Sequence, residues 1–464
     1  METSLNNTVT DFNSTLADLE HILYQKAMEW AREMYRNILK YLDDKIKKLR
    51  DKSFAIIRLD ETWHTTMLGE VRVKRRYYRD RDGTYHYLLD ELLGMGKHRH
   101  ITRHVHKLAL DMVGVMPFRR SADILAKTTP VKLSHQTIHR MIARVADYHL
   151  EKQDNALEWF RETGELTDSE NKINNSLFIE ADGVMLSLQR EKTRKTEAKL
   201  GIAYEGREKI GKDRFMTVNK SAYADIVNGD AFWSAMTLKL SRRYDLSGTS
   251  HMVLGGDGAG WIRKGVDYFG ADYQLCRFHL NRNLTRTLGH DRETLKEVKE
   301  ALNKGNISDV FNLIDKAADS ATGDTRKNIK KLYSYLKANL SGLKTYPRRD
   351  NKSVHTGAIE GNIDKFVAGR MKNQGMSWSI QGIRRMLWLR IALYEDKLDD
   401  YLEVKVDKPK PYTLSEKTIR RVVDKKLKRD YTQYFNAGLP ALAGPHSSKP
   451  WVKMLKSIVG GPML

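Results

Sequence analysis

The segment 252–260 constrains the fold of this chain more than any other stretch. A short apolar run, residues 252–254, ends in two glycines, Asp257 and a further glycine. Glycines let the backbone turn sharply and let a metal ion or phosphate approach closely. The pattern predicts a strand with Asp257 at its carboxyl end, which is where open α/β sheets usually bind ligands. A plain Gly/Asp turn is the alternative interpretation.

Two further acids stand in contexts that predict a shared site. Asp182 lies between two apolar runs, residues 177–179 and 184–188, so the sequence predicts a strand with an acid in its interior. Burying an unpaired carboxylate costs several kcal/mol, so an acid there needs a cation or hydrogen bonds. Glu360 follows a Thr/Gly turn and opens a helical pattern. Three such carboxylates can jointly hold two divalent cations, and Mg²⁺ and Mn²⁺ prefer these oxygen ligands.

The three acids resemble the catalytic residues of a known family, the DDE transposases of bacterial insertion sequences. The closest type is ISLre, which is akin to the Mutator superfamily. The resemblance rests on the order Asp182, Asp257, Glu360 and on the segment TGAIEGN around the last acid. It also rests on the motif Cys276-Arg-Phe-His279 between the second and third acids. It covers nearly the whole chain.

The resemblance implies a ribonuclease H-like α/β catalytic domain with an all-helical insertion, preceded by a mainly helical DNA-binding region. It also implies that Asp182, Asp257 and Glu360 are catalytic residues that bind two divalent metal ions, Mg²⁺ or Mn²⁺. Two ions of this kind can activate an attacking hydroxyl and stabilise the leaving oxygen of a phosphodiester. Asp364, one helical turn after Glu360, is the rival third acid. Glu180 shares a strand face with Asp182 and is either an outer acid of the site or a salt-bridge partner.

Cys276 and His279 follow a predicted strand, where they could bind zinc, attack as a nucleophile or brace the site. Zinc needs four ligands, and nucleophilic catalysis needs an oriented base. The sequence shows neither near this pair. The resemblance favours a bracing role for both residues behind the catalytic acids, with His279 close to DNA. Cys276 is the single cysteine, which excludes an intrachain disulfide and a zinc site with several thiolates.

The charge of the chain predicts a polyanionic partner. Lys and Arg number 81 against 59 Asp and Glu, a formal net charge of +22, on a chain that is 40% hydrophobic. Exposed basic residues gain affinity for DNA by neutralising phosphates and releasing counterions. The sequence has no apolar run of about 18 residues and no signal-peptide pattern at its polar start. We therefore expect a soluble, cytoplasmic protein without membrane partners, and the resemblance to transposases of bacterial insertion sequences implies that it is bacterial and nucleoid-associated.

The amino-terminal region, residues 1–96, combines a long helix with a hairpin. Apolar residues recur at helical spacing over residues 19–49, which predicts an amphipathic helix for packing or dimerisation. Alternating residues on either side of Asp82 and Gly83 predict a basic β-hairpin, which could contact phosphates or form a solvated edge strand. Four histidines then follow; they could bind zinc, although a basic helix face is the favoured interpretation: His98, His100, His104 and His106.

Residues 97–150 predict a helix-turn-helix-like DNA-binding region. Two helical patterns flank a break at residues 129–134, and Ser134 is a plausible N-cap of the second helix. Gln136, His139 and Arg140 then lie near the start of that helix, where a helix-turn-helix contacts bases. An ordinary basic helical hairpin is the alternative.

The remaining boundaries follow from composition and pattern. We expect a linker at 151–172, the catalytic domain at 173–400 with its helical insertion at about 281–345, and a basic tail at 401–464. The following basic residues come after the acids and are candidates to hold the scissile strand, although each could be a solvated charge: Arg263, Lys264, Arg277, Arg282, Lys365 and Arg370.

Together with these features, the resemblance implies a transposase that binds the terminal inverted repeats of its own element. It would free strand ends by hydrolysis and join the 3′-hydroxyl to target DNA. Its partners would be double-stranded DNA and further copies of itself, as a homodimer or higher oligomer in the synaptic complex. Two alternatives stay open. One is a ribonuclease H-like nuclease or resolvase without joining activity, and the other is a catalytically inactive DNA-binding regulator.

Overall fold

A computed structural model describes residues 12–95, 100–165, 176–212, 214–249, 251–344, 357–372 and 375–402, together with residue 420. The chain forms two compact units. Within the described ranges, the first unit comprises the residues up to His106 together with Asp123–Leu133, and the second comprises Lys107–Ala122 and the residues from Ser134 to Leu402. Helices and sheets occur in both described parts, so the protein is mixed α/β. No helix in the described ranges is long and apolar enough to cross a membrane.

The first unit contains a four-stranded sheet and a long helix. Its elements are α1 (Phe12–Leu49), β1 (Ala55–Thr66), β2 (Gly69–Arg79), β3 (Tyr85–His86), α2 (Leu88–Leu92) and β4 (His100–Ile101). The strand order is β3-β2-β1-β4, and β4 is the one parallel to its neighbour. Leu42 and Ile46 of α1 pack with Val71 and Val73 of β2 in a buried cluster. The predicted amphipathic helix is therefore present, and its carboxyl half packs on the sheet.

The predicted hairpin is present, but its main partner strand is different. The turn at Asp82 and Gly83 joins β2 to the two-residue strand β3, whereas β2 pairs along its whole length with β1. Every basic residue of β2 before Tyr77 has an acidic partner: Arg72 and Lys74 pair with Glu61, Arg75 with Asp90, and Arg76 with Asp43 and Asp44. Contact of this hairpin with phosphates stays a prediction.

Helices α3 (Arg103–Val115) and α4 (Phe118–Thr128) each have residues in both units. The second unit continues with α5 (His135–Thr163), β5 (Ser176–Ser187), β6 (Lys195–Tyr204), β7 (Gly206–Gly211), β8 (Arg214–Val218), β9 (Ser221–Asp225), α6 (Gly229–Ser241), β10 (His251–Gly256), α7 (Gly260–Arg263), α8 (Gly265–Phe269), β11 (Asp272–Leu275), α9 (Arg277–Leu288), α10 (Arg292–Lys304), α11 (Ile307–Ser320), α12 (Gly323–Ala338), α13 (Leu340–Lys344), α14 (Ala358–Ile363), a π-helical segment (Asp364–Ala368), α15 (Gly369–Met371), α16 (Ile380–Tyr394) and α17 (Leu398–Leu402).

A five-stranded sheet of order β11-β10-β5-β6-β9 is the centre of the second unit. Strands β5, β6 and β9 are antiparallel in turn, whereas β10 runs parallel to both β5 and β11. Leu177 and Ile179 of β5 pack with Phe232 and Trp233 of α6 in the main hydrophobic core. The helices α9–α13 occupy residues 277–344, the stretch where the sequence predicts a helical insertion.

The stretch 214–225 is divided into two strands, β8 and β9. Strand β8 pairs with β7 in a separate two-stranded hairpin, whereas β9 is in the five-stranded sheet. Asn219 between them has a positive φ of 45°. Its side chain accepts hydrogen bonds from Arg243, and its carbonyl accepts one from the Tyr244 hydroxyl. These contacts, made by residues that follow α6, stabilise the interruption between β8 and β9. They could not be predicted from the sequence around Asn219.

The predicted linker at 151–172 is helical in its first half, which corrects that boundary. Helix α5 runs to Thr163 and ends at Gly164, whose φ of 72° suits the left-handed conformation of a helix end. Arg384 of α16 binds Asp154 at 2.8 Å, which gives this part of α5 a tertiary partner. Residues 166–175 lie outside the described part, as do residues 403–419 and 421–464 of the predicted tail.

Candidate metal centre

Asp182 and Asp257 lie on neighbouring parallel strands. Asp182 is inside β5, only 8% exposed. Asp257 follows the last residue of β10, and β10 pairs with β5 so that Gly255 is opposite Glu180. Asp257 is therefore the first residue after the carboxyl end of the strand next to β5. The turn that the glycines predict is present, because Gly258 has a φ of +97°, in the region that favours glycine.

Glu360 reaches the same place from a different element. It lies in the first turn of α14, which packs against β5. A single group of three potential metal ligands occurs among the described residues, and it consists of Asp182, His279 and Glu360. One ligand atom from each lies within 4.8 Å of the others. We call these three residues the Asp182 cluster.

The electrostatics of the Asp182 cluster favour a cation. Burial raises the pKa of Asp182 to about 6; the Gly183 amide and His279 act against this, and the charges of Asp257 and Glu360 add to it. Glu360 Oε2 and His279 Nδ1 are buried and have no hydrogen-bond partner in the described part of the chain. Each such atom costs about 1–3 kcal/mol when left unsatisfied. These residues therefore fit a divalent cation, which would satisfy the free Glu360 oxygen and relieve the repulsion between the carboxylates.

Asp257 stands beside the Asp182 cluster and is not a member of it. Its Oδ1 accepts a hydrogen bond from the Ala259 amide at 2.8 Å, so one oxygen is used to fix the turn. Its carbonyl accepts from the Tyr335 hydroxyl at 2.8 Å. The structure thus brings two of the three predicted acids together and places the third within electrostatic reach of Asp182.

Glu180, two residues before Asp182, holds the helix that carries Glu360. Its carboxylate accepts hydrogen bonds from the amides of Gly357, Ala358 and Ile359 at 2.7, 3.0 and 3.3 Å. These are N-terminal amides of α14, which have no partner inside the helix. Tyr204 donates a further hydrogen bond at 2.5 Å, and Arg207 lies 3.5 Å away. Glu180 is therefore both a salt-bridge partner and a support for the site, so both interpretations from the sequence apply.

Cys276 and His279 have different surroundings, although the sequence groups them. Cys276 is at the N-cap position of α9, is buried, and donates its amide to the Gly256 carbonyl at 2.7 Å. Burial raises the pKa of its thiol, so the reactive thiolate is disfavoured at neutral pH. Cys276 ties the start of α9 to the end of β10, which suits a bracing role. His279, by contrast, is part of the Asp182 cluster.

Arg370 does not lie where it could contact DNA, which corrects the expectation for this residue. It is 3% exposed, and its Nε donates to the Val113 carbonyl at 2.7 Å. Its guanidinium lies over the Trp378 ring. Burial lowers the pKa of Arg370 to about 10. The residue packs α15 into the second unit.

The other basic candidates have mixed positions. Arg263 donates to the Ala338 carbonyl, and Lys264 pairs with Asp230 at 2.8 Å, so both have internal partners. Arg277 is half-buried and Arg282 is exposed, both on α9. Lys365 and the rival acid Asp364 lie in the π-helical segment, and their side chains are outside the described part.

The predicted base-reading residues are exposed at the start of α5. Ser134 caps this helix, because its Oγ accepts a hydrogen bond from the Thr137 amide at 3.1 Å. Gln136, His139 and Arg140 are exposed on its first turns. Of the histidine cluster, His98 lies outside the described residues. The side chain of His100 does too, and His104 and His106 are in no group of potential metal ligands within the described ranges.

The fold and the site define a mixed α/β protein with a carboxylate and imidazole centre beside two parallel strands. Residues 10–408 match the model of an uncharacterised protein family, UPF0236, and the chain belongs to this family. A UPF0236 protein of Caldanaerobacter subterraneus subsp. tengcongensis is 27% identical over 406 residues, which are 85% of this chain and 82% of that protein.

Two further relatives have similar coverage. A second UPF0236 protein of the same organism, whose name joins eleven locus designations, is 26% identical over 404 residues, 85% of this chain and 81% of that protein. A UPF0236 protein in the vanSb 3′ region of Streptococcus gallolyticus is 26% identical over 401 residues, 83% of this chain and 85% of that protein.

Proposed function

We propose that this protein is a DDE transposase. It would bind the terminal inverted repeats of an insertion sequence, cleave DNA strands at their ends, and join the 3′-hydroxyl to target DNA. The observation that carries the proposal is the meeting of Asp182 and Glu360, from a strand and a distant helix, with Asp257 just after the neighbouring strand β10 and close enough to raise the pKa of Asp182. Residue spacing alone does not bring Asp182 and Glu360 together.

The sheet of the second unit supports the proposed class. An antiparallel meander, β5-β6-β9, is followed by a helix and by β10 and β11, which run parallel to β5. This is the arrangement that the resemblance to ribonuclease H-like enzymes implies. The helices α9–α13 between Asp257 and Glu360 stand where such an enzyme of the Mutator type carries its helical insertion.

The chain's own residues have separable roles in this reaction. Bound divalent ions would activate the attacking hydroxyl and stabilise the leaving oxygen. Asp182 and Glu360 would hold these ions, and Asp257 adds negative charge near Asp182. Glu180 fixes the start of α14 and so fixes where Glu360 lies. Cys276 fixes the start of α9 and the end of β10.

DNA binding is supported by charge and by exposed side chains. The net charge of +22 favours a polyanion. The exposed group Gln136, His139 and Arg140 at a capped helix start suits base contacts. The name of a relative that joins eleven loci of one organism also fits a gene that is copied within a genome, as transposition does. A single-copy regulator has no such tendency.

The test is an assay with a labelled element end, target DNA and Mg²⁺ or Mn²⁺. A transposase produces both 3′-end cleavage and joined product, and Asp182→Asn and Glu360→Gln produce neither. Cleavage without joining would support a nuclease or resolvase instead. Metal-independent binding without cleavage would support the inactive regulator.

A second test concerns the proposed role of α5 in recognising the DNA sequence of the terminal repeats. Replacing Gln136 or Arg140 by Ala should reduce discrimination between terminal repeats and random DNA, since a base contact contributes roughly 1–3 kcal/mol. The control is Lys132→Ala, because Lys132 is an exposed basic residue before the capped start of α5. This substitution should weaken binding to terminal repeats and binding to random DNA equally. Competition binding at fixed salt measures the difference, and unchanged discrimination in both variants would remove α5 from base reading.

A further inference from the structure

One nitrogen donor stands among the acids of the metal centre. His279 lies on the first turn of α9, and its ligand atom is within 4.8 Å of a carboxylate oxygen of Asp182 and of Glu360. Its Nδ1 is buried and has no hydrogen-bond partner among the described residues. Glu360 Oε2 is unsatisfied in the same way.

We propose that His279 is a direct ligand of one divalent cation, which it shares with Asp182 and Glu360. The inference rests on the proposed function in that it takes the Asp182 cluster to be a metal site. It differs from the three-acid site that the sequence predicts, because one of the ligands nearest to Asp182 is a nitrogen.

The distances fit a shared ion better than a direct contact. His279 Nε2 lies 3.9 Å from Glu360 Oε2. A hydrogen bond between nitrogen and oxygen needs about 2.7–3.2 Å, so the two groups do not bond directly. Two ligands on one octahedral ion, each at about 2.1 Å, lie roughly 3–4 Å apart. The observed separation is within that range.

A bracing role explains the surroundings of His279 less well. A bracing histidine uses its ring nitrogens in hydrogen bonds to neighbouring protein groups. Here Nδ1 has no such partner in the described part, and Nε2 faces a carboxylate beyond bonding distance. Cys276, on the same motif, has the contacts of a bracing residue, since its amide bonds to the Gly256 carbonyl.

A nitrogen ligand has a measurable consequence for metal choice. Carboxylates suit Mg²⁺ and Mn²⁺, whereas imidazole suits transition metal ions. A site with two carboxylates and one imidazole should therefore favour Mn²⁺ over Mg²⁺ more strongly than a site with oxygen ligands alone. Removing the imidazole should reduce this preference.

The experiment uses Mn²⁺ as the probe on the full chain without DNA. Pulsed electron paramagnetic resonance of bound Mn²⁺ reports coupling to an imidazole nitrogen, and titration gives the affinities for Mn²⁺ and Mg²⁺. His279→Gln should lose the nitrogen coupling and should bind Mn²⁺ about tenfold or more weakly. Even mutation of a residue that only hydrogen-bonds to a metal ligand typically lowers metal affinity 10–100-fold. The matched control is His251→Gln, an exposed histidine on β10, which should keep both.

The outcomes separate this inference from the proposed function. Nitrogen coupling in the wild-type protein that persists in His251→Gln and vanishes in His279→Gln supports it. Mn²⁺ that binds in an Asp182-dependent manner without nitrogen coupling overturns the inference and leaves the metal site intact. Absence of Mn²⁺ binding to the wild-type protein overturns both. If His279→Gln does not fold, the wild-type spectrum alone decides, because a ligating imidazole must appear in it.

Discussion

Two sets of acids in the second unit differ in what surrounds them. Asp225 of β9 is 2% exposed and is bound by Arg384 at 3.1 Å, and Glu395 accepts from Lys239, Ser221 and the Ala222 amide. The acids of the Asp182 cluster have no Lys or Arg partner among the described ion pairs. Asp225 and Asp182 are both buried, which makes an unpaired charge costly, but only the first set is neutralised by basic side chains of the protein itself. The comparison indicates that the partnered acids stabilise the fold, and it supports our proposal that Asp182 and Glu360 bind a divalent cation.

The largest expected effect comes from the unpartnered acids. Asp182→Asn and Glu360→Gln should reduce cleavage and joining by roughly 1,000-fold or more, as for groups that act as one unit. Each should also abolish the rise in melting temperature on adding Mn²⁺. Without metal, the variants should be as stable as the wild type or more so, because each removes a charge from a crowded site.

Thermal melts with and without Mn²⁺, run beside the end-cleavage assay, check this prediction. Asp309→Asn is the control, since Asp309 lies on α11 in the helical region and outside the Asp182 cluster. It should keep both activity and the metal-induced shift. Loss of stability in metal-free Asp182→Asn would mean that Asp182 is a structural acid like Asp225.

The partnered acids should respond in the opposite way. Glu395→Gln leaves the charge of buried Lys239 unpaired, so it should lower the free energy of unfolding by about 3 kcal/mol. Activity per folded molecule should stay unchanged, because Glu395 does not touch the Asp182 cluster. Denaturant titration and end cleavage on the folded fraction measure the two quantities. A Glu395→Gln variant that is stable but inactive would contradict the assignment of Glu395 to the acids that only stabilise the fold.

The stability that Glu395 contributes should depend on pH in a defined direction. Burial alone would raise its pKa, but the charge of Lys239 and hydrogen bonds from Ala222 and Lys239 outweigh burial and lower the pKa. A lowered carboxyl pKa contributes stability above the unfolded value of about 4.3, and the contribution is lost as pH falls through the folded value. Glu395→Gln should therefore lose stability less steeply below about pH 4.3 than the wild type.

Glu180 sharpens the comparison, because it shares a strand face with Asp182 yet is fully partnered. Both of its oxygens accept hydrogen bonds, from α14 amides and from Tyr204. Glu180→Gln places an amide donor against these donors and should cost about 1–3 kcal/mol of stability. It should also weaken Mn²⁺ binding by displacing Glu360. Glu197→Gln on β6, a half-exposed acid, is the matched control and should keep Mn²⁺ affinity. Normal metal affinity in Glu180→Gln would limit Glu180 to stability.

Glu180 and Asp182 also show what could be predicted from the sequence and what could not. The apolar runs around Asp182 and the glycines after residue 254 correctly predicted strands with acids at their present positions. The local pattern could not tell that Glu180 accepts hydrogen bonds from the amides at the start of α14, because these amides lie 177 to 179 residues away. The break at Asn219 and the burial of Arg370 also depend on contacts distant in sequence. The membership of His279 in the Asp182 cluster is of the same kind.

The smallest effect is expected from replacing Cys276. This prediction tests whether Cys276 and His279, at the two ends of one motif, have different roles. Its thiol is buried and its pKa is raised by burial, so Cys276→Ser exchanges a small apolar group for a hydroxyl. This should cost about 1–2 kcal/mol of stability and leave cleavage within a few-fold of wild type. Alkylation by iodoacetamide should be slow in the folded protein and fast after unfolding. The contrast with His279→Gln, assayed in parallel, is the informative quantity. Similar losses of metal affinity in both variants would mean that the motif acts as one rigid support, whereas a loss confined to His279→Gln would assign the chemistry to the imidazole and the packing to the thiol.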